Sequence, residues 1–171
     1  MPDPGDGYLP LLLKAGCEPG VIAHCRVVRD VAVSIVDKII TAGKVTVDRD
    51  LVAAGAILHD IGRSRSHGMD HADLGGDICR SLGLDHRICL IVERHIGAGL
   101  TSEERIVLGL VGGDRVPVAI EEKIIAHADN LVKGTRIITR KDLEHSIERF
   151  PLEVRARFIV LADELESLSW K

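Results

Sequence analysis

Apolar residues in this chain recur at intervals of three and four along almost its whole length, and that regularity decides what it can fold into. Residues three or four apart share one face of an α-helix, whereas a half-buried strand needs strict alternation. In Val21-Ile22-Ala23-His24-Cys25-Arg26-Val27-Val28 the stripe continues through Val31, Ala32, Ile35 and Ile39. Strand-like alternation is scarce, so the expected class is all-α, a compact helical bundle. The 171 residues read as one domain, 1–171, long enough to bury roughly 70% of the unfolded surface without disulfides.

Caps and breakers divide the pattern into elements. After a loose Pro- and Gly-rich start, a short helix is expected near Leu9 to Ala15. Pro19 suits the first turn of a long helix to about Thr41, which Gly43 ends. Asp48 is placed to cap a second helix running to Asp60, with Gly62 just past its end, before a loop from Arg63 to Met69. Asp70 with Asp73 opens a helix to about Leu82, and Asp85 opens one that reaches His95 before Gly97 and Gly99. Thr101 and Glu104 form a capping box for a short helix to about Leu110. Beyond Gly112-Gly113 and Pro117, a helix is expected from Ile120 to Lys133, stopped by Gly134. A further helix starts near Lys141. After Pro151 an amphipathic helix reaches about Ser167, with Phe158, Leu161 and Leu165 on a stripe that either completes the core or pairs with a second copy of the chain.

Charge and cysteine usage remove several classes of function. A formal charge of -4, from 22 basic and 26 acidic side chains, argues against wrapping nucleic acid through bulk charge. No uncharged apolar run reaches the roughly 18 residues of a membrane span. The opening Met1-Pro2-Asp3-Pro4-Gly5-Asp6 carries acid where a signal peptide needs base, so the expected address is cytoplasmic. Cys17, Cys25, Cys79 and Cys89 contain no Cys-x-x-Cys pair and read as reduced core thiols. Eight histidines stand against four aromatic residues, and most of them sit in or beside apolar segments.

Several of those placements are costly unless something repays them. His24 lies on an apolar stripe and, taken alone, reads as a buried imidazole with satisfied hydrogen bonds rather than as a ligand. His59-Asp60 follows the almost wholly apolar Leu51 to Leu58, which puts a carboxylate at the electrostatically wrong end of a helix unless cations meet it. Asp129 repeats the anomaly among Ile125, Ala126 and Val132. A divalent metal removes the problem, because His24, His59, Asp60 and Asp129, carried by three helices, can converge as four ligands in the middle of a bundle. His127 points roughly 200 degrees away from Asp129 around its helix and is left out of the set.

The order His24, then His59-Asp60 within HDIGR, then Asp129 within AHADNLV resembles the H…HD…D signature of the HD superfamily of metal-dependent phosphohydrolases, from about Pro19 to Arg136. The resemblance implies an HD-domain bundle with its metal site between central helices, the four residues being ligands and the helices of about 141–167 packing on that core. The segments HGMDHADLGGDICRSLGL and ICLIVERHIGAG look like the insertions that each give one His to a second metal in the HDIG-type and dinucleoside-tetraphosphate-hydrolase branches. Those roles fall on His71 and His95, with Asp60 bridging the two ions. Alternatively, His71 is an ordinary first-turn residue and His95 a helix-terminal cation.

The chain also departs from better-known branches. Arg63-Ser64-Arg65 stands where several nucleotidases and guanosine-tetraphosphate hydrolases place a glutamate. His95 is followed by Ile96-Gly97-Ala98-Gly99 rather than the doubled His and GYP of cyclic-di-GMP phosphodiesterases. The pattern is most similar to small archaeal or bacterial HDIG proteins, with the dinucleoside polyphosphate hydrolases the nearest branch of known chemistry.

The implied activity is hydrolysis of a phosphoester or phosphoanhydride, in a small phosphorylated substrate such as a nucleotide, with one or two divalent ions. Mixed His and Asp ligands suit Mn, Fe, Co, Ni or Zn better than Mg or Ca. Asp60 and Arg63 are the expected catalytic residues. His67 is a candidate general acid, or else a loop imidazole in solvent. Arg63, Lys133 and Arg136 are expected to bind phosphate, the last two from one face of the same helix end, with Arg65, Arg94 and Arg140 as substitutes. Glu93 either orients a ligand or faces solvent. Two rival readings are a regulatory module that binds metal and nucleotide without turnover, and a di-iron oxygenase.

Overall fold

The computed structural model describes residues 5–170. The loose start falls partly on residues 1–4, outside the described residues, while Asp6–Tyr8 form a short 3-10 turn. Among the described residues there are nine α-helices and one hairpin. They are α1 (Leu9–Ala15), α2 (Pro19–Ala42), α3 (Arg49–Leu58), α4 (His71–Ser81), α5 (His86–Arg94), α6 (Ser102–Val107), α7 (Ile120–Asn130), strands β1 (Val132–Lys133) and β2 (Arg136–Ile137), α8 (Arg140–Ser146) and α9 (Leu152–Ser169). The fold is all-α, as the periodicity requires.

Most helix ends follow their caps. Pro19 opens α2, and Gly43, at φ +71°, closes it by turning its N–H back to Ile39 and Ile40. Asp48 accepts the Leu51 N–H and Asp85 accepts that of Arg87. The Thr101–Glu104 box is present, and an unforeseen box of Thr139 with Asp142 starts α8. Asp70 does not cap α4; its carboxylate instead takes the Ser66 hydroxyl at 2.5 Å.

Three boundaries differ from expectation for identifiable reasons. α6 stops at Val107 rather than Leu110, because Gly109 turns left-handed and the Leu110 N–H closes back on the Arg105 carbonyl. α3 stops at Leu58, and Ile61–Ser64 form a 3-10 turn. Gly62 in that turn is no left-handed terminator; a Cβ there would lie 1.8 Å from the His71 carbonyl oxygen, so its role is to let the turn lie directly on α4. Finally, α7 ends at Asn130, and the chain enters an antiparallel hairpin pairing Val132 with Ile137 and Lys133 with Arg136. β-branched Val132, Thr135, Ile137 and Ile138 favour the extended chain, and Gly134, at φ +62°, makes the turn. Lys133 and Arg136 are therefore cross-strand partners, not neighbours on a helix face.

Beyond its first two residues α3 is buried from Leu51 to Leu58, and it packs against α2, α5 and α7. Burying each Leu or Ile contributes about 1.5–3 kcal/mol, which makes α3 the fixed post of the bundle. α4 packs on α5, and α9 lies across α2 and α7 with Phe158, Leu161 and Leu165 in the core. Apolar side chains from Leu12 to Leu165 join one cluster, and all four cysteines are buried and unbridged. No described helix is long and apolar enough to cross a membrane.

Candidate metal centre

The end of α3 delivers His59 and Asp60 to the middle of the bundle. His24 reaches the same place from the second turn of α2, Asp129 from the last turn of α7, His71 from the start of α4 and His95 from the end of α5. All six side chains named from the sequence come together.

Each of the four rings is oriented in the same way. The Nδ1–H groups of His59, His71 and His95 donate to the carbonyls of Ala56, Gly68 and Val92, three residues earlier in each case, at 2.7 Å. His24 donates from Nδ1 to the Gly134 carbonyl at 2.7 Å. A carbonyl only accepts, so Nδ1 carries the proton and every neutral ring turns its Nε2 lone pair inward. At helix ends, where carbonyls lack intrahelical donors, this arrangement satisfies the backbone and aims a ligand at once.

The inward nitrogens surround two carboxylates. Asp129 Oδ1 lies 2.9 Å from His24 Nε2 and 3.6 Å from His59 Nε2. Asp60 Oδ2 lies 3.9 and 3.7 Å from the same two nitrogens. Its other oxygen, Oδ1, lies 3.2 Å from His71 Nε2 and 3.5 Å from His95 Nε2. Asp60 thus divides the centre into an outer half with His24, His59 and Asp129 and an inner half with His71 and His95. The two inner nitrogens are only 3.2 Å apart. With both Nδ1 protons committed to carbonyls, two lone pairs face each other, an arrangement that a cation between them stabilises.

Electrostatics point the same way. Burial opposes ionisation of Asp60, but His59, His71 and His95 outweigh it and hold the carboxyl well below its usual range. Asp129, likewise opposed by burial, is held low by the neighbouring imidazoles of His24 and His59. Burial pushes His95 down. It also pushes on His59, where the neighbouring Cys25, Asp60 and Asp129 prevail and raise it. A site that keeps a buried and a half-buried carboxylate ionised and draws a proton onto its central imidazole is one that attracts positive charge. His59 Nε2 and Asp60 Oδ1 are buried with no hydrogen-bond partner among the described residues. The donor set therefore fits one or two divalent ions, and these His and Asp clusters can hold a metal.

Access is one-sided. His71 and His95 are 3% and 2% exposed, whereas His24 and Asp129 are half-buried at the rim. Arg63 stands at that rim, its Nε donating to Asp60 Oδ2 at 2.8 Å. Lys133 and Arg136 are exposed on the hairpin whose turn residue, Gly134, holds His24. His67 is exposed, 3.9 Å from Glu18, and makes no contact with the cluster. Among the substitutes, Arg94 is engaged by Glu122, and Arg140 by Glu144, Asp163 and Glu166. The carbonyl partners were missed from sequence; the i−3 spacing of three of them was a usable signal, while Gly134 offered none.

An all-α bundle with this His, His-Asp, Asp centre has the architecture of the HD domain, and the HD domain family model matches residues 21–134. The chain belongs to the HD domain family. It is 44% identical over 163 residues to protein MJ0778 of Methanocaldococcus jannaschii, covering 92% of this chain and 94% of that one. It is 46% identical over 164 residues to the tRNA (cytidine(56)-2'-O)-methyltransferase of Picrophilus torridus, covering 95% of this chain and 46% of the enzyme. The chain thus spans about half the length of that methyltransferase. In fold it is similar to the HD domain of the Listeria monocytogenes phosphodiesterase PgpH, solved in complex with cyclic-di-AMP, with a TM-score of 0.57, 18% identity and coverage of 93% and 96%.

Proposed function

We propose that this protein hydrolyses a phosphoester or phosphoanhydride bond of a nucleotide, using two divalent transition ions. The observation that carries the reading is the set of four Nε2 lone pairs, each fixed by an Nδ1–H to a carbonyl, converging on the two oxygens of Asp60. His24, His59, Asp60 and Asp129 hold the outer ion, and His71, His95 and Asp60 hold the inner one. Bound there, divalent ions supply Lewis acidity, lowering the pKa of water and polarising phosphoryl oxygens.

The chain's own groups do the rest. Asp60 holds its charge between the two halves. Arg63, fixed through Nε to Asp60, keeps its remaining N–H donors for a substrate phosphate at the open side. Lys133 and Arg136 extend that positive rim along the hairpin. Nothing in this reading requires His67, whose imidazole lies beside Glu18. The cyclic-di-AMP complex of the PgpH HD domain supports a nucleotide as the ligand class, and the dinucleoside polyphosphates are the first substrates to try.

A binding role without turnover is the second reading. It is favoured by the match to about half of a methyltransferase, in which an HD-type segment accompanies a different reaction. One experiment separates them: product formation, followed by chromatography, from cyclic dinucleotides, dinucleoside polyphosphates and nucleoside monophosphates, with Mn, Fe, Co, Ni or Zn restored after chelation. Metal-dependent turnover that Asp60→Ala abolishes supports hydrolysis. Tight nucleotide binding with no product over hours overturns it in favour of the binding module.

A further inference from the structure

Glu93, left open by the sequence between orienting a ligand and facing solvent, does neither directly. Its side chain is buried on α5, two residues before His95. Oε1 accepts from Arg80 Nη2 at 2.5 Å and lies 3.5 Å from Arg115 Nη2. Arg80 belongs to the last turn of α4, the helix that begins with His71. Arg115 comes from the segment between α6 and α7, where its backbone is tied to Leu100 by two hydrogen bonds. Its Nε also donates to Asp73 Oδ1 at 3.2 Å, and Asp73 stands two residues after His71. The other oxygen of Asp73 takes Arg105 Nη2 at 2.9 Å, and Arg105 is itself buried and donates to the Val111 carbonyl.

Two carboxylates, one on each helix carrying an inner-half histidine, are therefore bridged by one guanidinium, and Arg80 joins the same helices at the far end of α4. No member of this network lies on α2, α3 or α7, which carry the outer-half ligands apart from Asp60. The arrangement is poorly explained by stability alone. Ion pairs whose guanidiniums are partly exposed contribute little net stability, yet here they tie α4 and α5 to each other through Arg80 and Arg115. Glu93 Oε2 is moreover buried without a hydrogen-bond partner among the described residues. The fold also makes room for this carboxylate: a Cβ on Gly76 of α4 would lie 2.5 Å from Glu93 Cγ.

From this we infer that Glu93 is a positioning residue for the inner half of the centre, setting through Arg80 and Arg115 the separation of His71 and His95 and hence the affinity of the inner ion. The inference rests on the two-ion reading above. Groups that orient metal ligands typically change metal affinity 10–100-fold when removed, and here the change is confined to one of two ions.

The test is a Co(II) titration of the metal-free protein, read by visible absorption and elemental analysis, on wild type, Glu93→Gln and Arg115→Gln. Wild type is expected to take two ions. Each variant should keep one ion with unchanged affinity and spectrum and bind the other at least tenfold more weakly, at unchanged helical content. Arg115 is partly exposed, so its variant carries the test should Glu93→Gln fail to fold. Both ions bound with wild-type affinity, or both weakened alike, overturns the inference while leaving the two-ion reading standing. A wild type that takes a single ion overturns that reading, and the inference with it.

Discussion

Gly62, against the backbone of His71, and Cys79, near the far end of α4, each yield a measurable consequence. A methyl group at residue 62 would collide with the His71 backbone, which cannot swing aside as a side chain tip can. Gly62→Ala is expected to cost about 1–3 kcal/mol, the usual price of overpacking, and to weaken metal binding, as urea unfolding and metal titration would show. Burial pushes the Cys79 thiol from 9.0 up to about 12. Above pH 9 the unfolded chain releases this proton and the folded one keeps it, so stability falls as pH rises toward 12. The slope attributable to Cys79 approaches 1.4 kcal/mol per pH unit. Wild type and Cys79→Ala, unfolded in urea from pH 8 to pH 10.5, should differ by that slope. At this scale the sequence was most legible where polarity contradicted periodicity. Asp60 and Asp129 are conspicuous because a carboxylate on an apolar stripe needs a reason. Gly62 was misread because the same residue serves left-handed turns and close approaches, and only the partner at 71 tells them apart.

The hairpin of β1 and β2 is the element that sequence reasoning described least well. Its residues continued the apolar spacing of α7 closely enough to look helical, and a two-residue strand has too few positions to show alternation. The helices proper were legible, because Pro19, Gly43, Asp48, Asp85 and the Thr101–Glu104 pair act through local hydrogen bonds that need no tertiary context. The hairpin matters because it carries two exposed cations and, at Gly134, the carbonyl that orients His24. Replacing Lys133 and Arg136 together by Ala is expected to raise KM for a phosphorylated substrate about tenfold or more and leave kcat within a few-fold, since these groups would bind substrate and transition state alike. The effect should shrink at high salt. Steady-state kinetics at two ionic strengths would check both parts.

For the whole molecule, six ligand candidates drawn from five helices and their ends mean that occupancy of the centre and integrity of the bundle are linked. Each ion at 100 times its Kd would stabilise the fold by about 2.7 kcal/mol, so stripping both with a chelator is expected to lower Tm by roughly 10–20 °C in a chain of this size, or about half that for one ion. Imidazole ligands must be neutral to bind metal, so the chelator-sensitive part of Tm should fade as pH falls from 7 toward 5. Thermal melts with and without chelator across that range would measure it. The all-helical class could be read from one sequence because it rests on spacing within a helix, whereas the convergence of the tetrad, spread over three helices, was legible only through the resemblance of its motif order to the HD signature. The pairing of His71 with His95 came from the same resemblance, since spacing alone says nothing of how α4 and α5 lie together.

The difference in depth between the two halves also sets an order of events. His71 and His95 are almost inaccessible, and the half-buried His24 and Asp129 stand on the open side. An ion bound at the back must enter before its neighbour and can leave only after it. Dialysis would thus remove one equivalent in a fast phase and the second in a slow one. A half-filled protein would be a long-lived species of single composition, not a statistical mixture.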